Sequence, residues 1–120
     1  NYSDEGSPLR KKSYAFALAI VIFCKKLTEQ KKEFVISKQL LKSGTSIGAN
    51  IEEAQQAESR KDFVSKLKIS IKEAFETKYW LRLARDSSYA TQEEVDMLLK
   101  DLQEVTAMLN VSITTAKRNN

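Results

Sequence analysis

The sequence predicts an all-α fold, an up-down-up-down four-helix bundle packed antiparallel with a left-handed twist. Three observations predict it. Apolar residues recur at alternating four- and three-residue steps through four separate stretches, the spacing of helices that each bury one stripe. Three Gly and one Pro in 120 residues are too few turn-makers for a β architecture. The stretches are separated by only a few residues, so successive helices must reverse direction. With 42% hydrophobic and 30% charged residues, the composition fits a single folded domain.

Residues 1–6 read as a flexible polar tail, and residues 7–120 as one bundle domain. Ser7 is placed to cap the first helix, with Pro8 in its first turn. Leu9, Ser13, Phe16, Ile20, Phe23 and Leu27 then carry its seam over about 8–32, and Lys31-Lys32 suit its negative end. The apolar run Tyr14–Cys24 follows Arg10, Lys11 and Lys12, as in a secretory leader. Its aromatics, its lack of a small-residue cleavage site and its continuation into a helical pattern argue against that. The run is also well short of the ~20 residues a membrane span requires, so no membrane association is expected.

Helix two is predicted over about 34–57, with Ile36, Leu40, Ile47, Ile51 and Ala54 on one face. Its middle, Ser43-Gly44-Thr45-Ser46-Ile47-Gly48, leaves two readings open. Either the helix breaks there, or the glycines admit a neighbouring backbone, at ~1 kcal/mol of helix propensity each. Ser59-Arg60-Lys61-Asp62 starts helix three, over about 60–86, with Phe63, Leu67, Ser70, Ala74, Thr77, Leu81 and Ala84 on its seam. Thr91-Gln92-Glu93-Glu94 is a capping box opening helix four over about 92–117. Val95, Leu98, Leu102, Val105, Leu109 and Ser112 are its seam.

There is no histidine and one cysteine, Cys24. That removes zinc sites, Ser–His triads and histidine proton shuttles, and a lone thiol agrees with a cytoplasmic chain. Cys24 is expected to pack as a small hydrophobe. Residues 1–33 carry seven Lys/Arg against four acids, 58–86 eight against five, and 87–120 three against five. Two helices are therefore basic and the last acidic, a split that makes either a basic face or electrostatic pairing between neighbours.

Helices one and three carry more apolar surface than one bundle stripe uses. Tyr14, Ala17, Val21 and Cys24 form a second line on helix one. On helix three, Val64, Ile71 and Phe75 lie to one side of the seam, and Ile69, Glu73, Glu76, Trp80 and Leu83 to the other. Self-association explains this surplus, with Tyr14, Val21, Ile69, Tyr79, Trp80 and Leu83 as candidate interface residues.

Ser46, Asn50 and Glu53, with Glu73 and Glu76, are candidates for a hydrogen-bonded network that fixes register between helices. That reading is preferred to a metal or acid–base site, because Glu73-x-x-Glu76 has the spacing of a di-metal bundle without its imidazoles. No catalytic residue, metal or cofactor is assigned. Lys61, Lys68 and Lys72, and a second row of Lys78, Arg82 and Arg85, are candidates for phosphate contact. The bland alternative is a solvated face with pairs such as Lys72–Glu76.

Gln39-Leu40, Ser46-Ile47-Gly48-Ala49-Asn50-Ile51-Glu52-Glu53-Ala54, Asp62-Phe63 and Lys66-Leu67 together resemble the S23-type four-helix-bundle family named after the 23S rRNA intervening sequence protein. Glu73-Ala74, Glu76-Thr77 and Tyr79-Trp80-Leu81 extend the likeness, which covers about residues 9–115. The resemblance implies a bacterial, cytoplasmic protein whose second helix continues through Gly44 and Gly48. It also implies a homo-oligomeric ring, described for such proteins as a pentamer. The family name reflects gene position and does not establish rRNA binding. A related branch, the accessory proteins of diversity-generating retroelements, uses the same bundle to bind a reverse transcriptase and nucleic acid. The expectation is thus a non-enzymatic, self-associating scaffold whose partner is RNA, DNA or a nucleic-acid enzyme. The alternative is a purely structural or protein-interaction oligomer that binds no nucleic acid.

Overall fold

The computed structural model describes residues 7–118, and the tail expected at 1–6 lies outside the described residues. Four helices follow in order: α1 (Pro8–Lys31), α2 (Val35–Ala54), α3 (Arg60–Asp86) and α4 (Gln92–Arg118). The connections are three, five and five residues long. Helix α1 lies beside α2 and α4, and α3 completes the square beside the same two.

The helix starts follow from their caps. Ser7 Oγ accepts the Arg10 N–H at 3.4 Å, Ser59 Oγ the Asp62 N–H at 3.0 Å, and Thr91 Oγ1 the Glu94 N–H at 3.1 Å. The box at Thr91 is one-sided, because the Glu94 carboxylate turns to Lys26 of α1 instead of returning to the cap. The start of α2 uses a residue that the sequence pattern does not flag. Buried Glu33 accepts the N–H groups of Val35, Ile36 and Ser37 at 3.1, 2.9 and 2.9 Å. A carboxylate is well suited to three otherwise unpaired donors at the positive end of a helix. Lys32, with φ 54°, makes the left-handed reversal that puts Glu33 there.

Helix α2 ends at Ala54, three residues before the expected 57. The N–H groups of Gln55, Gln56 and Ala57 each donate three residues back, to Glu52, Glu53 and Ala54. The last α-helical turn thus tightens into successive turns before α3 begins.

All the seam residues read from α1 and α2 are buried. On α3 the seam is buried apart from Phe63, which is half-buried against the core. On α4 Ser112 is only half-buried and Ile113 takes the last core position, one residue later. A four-residue step from Leu109 keeps the larger side chain facing inward.

Helix α2 runs unbroken through Gly44 and Gly48. At Gly44 the reason is contact: a Cβ there would lie 2.9 Å from Ile20 Cγ2 and 3.0 Å from its Cγ1. Ile20 is fully buried and β-branched, so it has no free rotamer to give way. At Gly48 a Cβ would sit 3.5 Å from Ser13, an ordinary contact. The two glycines are therefore not equivalent. Gly44→Ala should destabilise the fold by about 1 kcal/mol or more, overpacking outweighing the gain in helix propensity. Gly48→Ala should stabilise it by about 0.5–1 kcal/mol. Urea denaturation of both variants checks this, and equal shifts of one sign would contradict it.

Candidate functional site

Helices α2 and α3 lie in a register set by three links. Thr77 Oγ1 donates to Ser43 Oγ at 3.0 Å, Ser70 Oγ to the Ile47 carbonyl at 2.8 Å, and Lys66 pairs with Glu53 at 3.1 Å. The five polar candidates do not join into one network among the described residues. Ser46 donates to the Lys42 carbonyl and Asn50 to the Ser46 carbonyl, both on their own helix. Glu53 pairs with Lys66, and Glu76 accepts the Trp80 indole N–H at 3.3 Å. The Glu73 carbonyl accepts from Thr77. Short buried hydroxyls at Ser43, Ser70 and Thr77 make the cross-helix bonds instead, because they fit where the helices are closest. Among the described residues no three Asp, Glu or Cys side chains gather as metal ligands.

The apolar candidates divide by position. Tyr14 is 62% exposed and Tyr79 56%, while Ile69 and Leu83 are each 38% exposed. Trp80 is half-buried against its own core, and Val21 is half-buried too. The Trp80 ring meets Tyr79 edge-on, with centroids 4.9 Å apart. The indole of Trp80 is thus partly covered by its own chain, whereas Tyr79 is more than half exposed. The second line on α1 shifts in the same way: Cys24 is buried, while Leu18 and Ile22 join Tyr14 on the exposed face. Between α1 and α2 a cavity of about 290 Å³ is lined by Val21, Phe34 and Leu41, with Lys25 and Lys38 at its edge. Leu18, Ile22, Phe34 and Leu41 fall outside the heptad lines, so spacing alone did not mark them.

The basic candidates also separate. Lys61, Lys68, Lys72, Lys78 and Arg82 are exposed and form no ion pair among the described residues. Arg85 is half-buried and committed, bonding Asp86 and Asp96 at 2.9 Å each. Those hydrogen bonds raise the Arg85 pKa, and the bond from Arg85 holds the Asp86 carboxyl below its ordinary value. Arg85 is thus a link between α3 and α4 rather than a phosphate contact.

The acids of α4 are mostly engaged on the side of α1. Lys12 bonds Glu104 at 2.6 Å and lies 3.9 Å from Asp101, and Lys26 pairs with Glu94. The hydrogen bond from Lys12 keeps the Glu104 carboxyl below the ordinary glutamate range and raises Lys12 in turn. On the α3 side, Lys68 stands near Lys117, and the Lys117 pKa is lowered because its neutral amine can accept a hydrogen bond from Lys68, whereas two ammonium groups there repel. A further pair, buried Arg10 with Glu52, ties α1 to α2 through two bonds of 2.9 and 2.8 Å.

The family described as 23S rRNA-intervening sequence protein matches residues 7–111. The chain belongs to that family. A solved structure, a protein with unknown function from the S23 ribosomal protein family of Bacteroides thetaiotaomicron VPI-5482, is 50% identical. The match covers 88% of this chain and 97% of that one, with a TM-score of 0.86. Nothing among the curated proteins matches. The family resemblance read from helices two and three is therefore correct, and the all-α four-helix fold with it. No helix among the described residues is long and apolar enough to cross a membrane.

Cys24 is not a reactive site in this family member. Its buried Sγ donates to the Ser37 carbonyl at 3.4 Å, and burial, aided by the charge of Glu33, pushes its pKa up to about 12. The folded state favours the neutral thiol. Relative to the ordinary value of 9.0, that preference is complete below pH 9 and is lost as pH rises toward about 12. Iodoacetamide at pH 8 should leave Cys24 unmodified in the native protein and label it in urea. Equal labelling rates would contradict the burial.

Proposed function

We propose that the protein is a non-enzymatic, cytoplasmic, self-associating scaffold, assembled as a ring and linked to nucleic acid. The observation that carries the self-association is that two apolar surfaces lie outside the core, one bearing Lys25 and Lys38 and the other Glu73 and Glu76 beside Lys72. The α1–α2 surface combines Val21, Phe34 and Leu41 with Lys25 and Lys38. The outer face of α3 combines Ile69, Tyr79 and Leu83 with Glu73 and Glu76. Apolar area of this kind favours burial against protein, and the lysines of the first surface suit the glutamates of the second. Two different surfaces that meet head to tail close into a ring when the rotation allows. A pentamer is the order that the family resemblance implies.

The link to nucleic acid is supported by five exposed cations of α3, Lys61, Lys68, Lys72, Lys78 and Arg82, which form no ion pair among the described residues. The acidic α4 does little to neutralise them, because Asp101, Glu104 and Glu94 face Lys12 and Lys26 on α1. Asp96 turns to α3, where Arg85 holds it. A purely structural oligomer would use the same apolar surfaces and leave these cations to solvent.

Light scattering should give a mass several times that of the protomer. Ile69→Asp or Leu83→Asp should reduce it to the protomer mass with the helical circular dichroism unchanged, and a parent-like mass for both would place the interface elsewhere. Binding to labelled RNA should weaken steeply with salt. Absence of binding at low salt would leave the structural oligomer as the function.

A further inference from the structure

We propose that the groove between α3 and α4 is a binding site for single-stranded nucleic acid, with Phe75 as the platform on which a base stacks. The proposal rests on the nucleic-acid reading above and names its site and strand class. The groove has a volume of about 580 Å³, and its floor is formed by Ala74, Leu99, Leu102 and Ala107. Phe75 borders it and is 65% exposed, an aromatic ring with no place in the core.

The cations around this ring are placed for a phosphate backbone. Lys78 and Lys100 line the groove from opposite helices, and neither has an ion-pair partner among the described residues. Toward the start of α3, exposed Lys68 lies near exposed Lys117 of α4. At the other end of the helix Arg82 is also exposed. From Lys68 to Arg82 the helix rises about 21 Å, room for a short run of nucleotides. The one acid lining the groove, Asp96, is already bonded to Arg85.

Gln103, Thr106 and Asn110 complete the lining from α4, and their side chains offer both donors and acceptors. A cationic track, a lone exposed aromatic ring and neutral hydrogen-bonding groups are the recurring parts of single-strand sites. A duplex presents its bases edge-on within the stack and offers no open face to Phe75. An acidic amphipathic helix would match the charge. It would favour a longer aliphatic floor than this one and would leave the amides of Gln103 and Asn110 without a role.

The test is fluorescence anisotropy with the full chain, using a labelled uridine-rich RNA of about 15 nucleotides, the same RNA annealed to its complement, and a labelled polyglutamate peptide. The single strand should bind at least about tenfold tighter than the duplex. Phe75→Ala should weaken single-strand binding by about 5- to 150-fold while leaving the salt dependence unchanged. The double variant Lys78→Ala/Lys100→Ala should lower the slope of log K against log salt by about 1.4. If Phe75→Ala binds like the parent while the lysine variant is weakened, the stacking site is wrong and the nucleic-acid reading stands. If no RNA binds at low salt, both fall. If polyglutamate binds more tightly than RNA and needs Phe75, the groove belongs to an acidic protein partner and the proposal is overturned.

Discussion

Lys12 and Lys26 of α1 reach across to Asp101, Glu104 and Glu94 of α4, and this one-sided pairing decides which faces of the bundle stay charged. Exposed ion pairs of this kind are screened by water and add little to stability, so they are not what holds the helices together. The buried seams do that, with Ile20, Leu40, Ile47, Leu67, Leu81 and Leu109 all fully enclosed. What the pairs accomplish is to engage most of the acids of α4 on one side. The opposite side of that helix is left with Lys100, Lys117, neutral groups and one acid, Asp96, which Arg85 of α3 holds.

The bundle thus divides its surface by chemical character. The side between α1 and α2 and the outer face of α3 carry exposed apolar residues flanked by lysines and glutamates respectively. The side between α3 and α4 carries cations around one aromatic ring. Helix α2 makes this division rigid. Gly44 lets it close on Ile20 of α1, and Ser43 with Ile47 ties it to Thr77 and Ser70 of α3. Side chains on the two proposed assembly surfaces are therefore held by a helix that packs tightly on both flanks.

Much of this was legible in the sequence, and what was not has physical reasons. The seams, the caps at Ser7, Ser59 and Thr91 and the family motifs could be read directly, because each depends on residues close together along one helix. Glu33 was missed because glutamate is not among the usual capping residues, and its reach depends on the reversal at Lys32. The two readings of Gly44–Gly48 stayed open because the deciding atoms belong to Ile20 and Ser13, two dozen or more residues away in sequence. The charge split between α4 and its neighbours stayed open in the same way. A net sign along a helix does not say which neighbour its acids face, and that depends on how the helix is rotated in the bundle. Trp80 is a candidate interface residue by type, yet its own chain partly covers it.

Carbodiimide crosslinking with peptide mapping tests the division of charge most directly, since it joins only amines and carboxylates already in contact. Crosslinks should join Lys12 to Glu104 or Asp101 and Lys26 to Glu94, while Lys78 and Lys100 remain unlinked within a protomer. Crosslinks from the carboxylates of α4 to Lys78 or Lys68 of α3, with Lys12 and Lys26 left free, would contradict it.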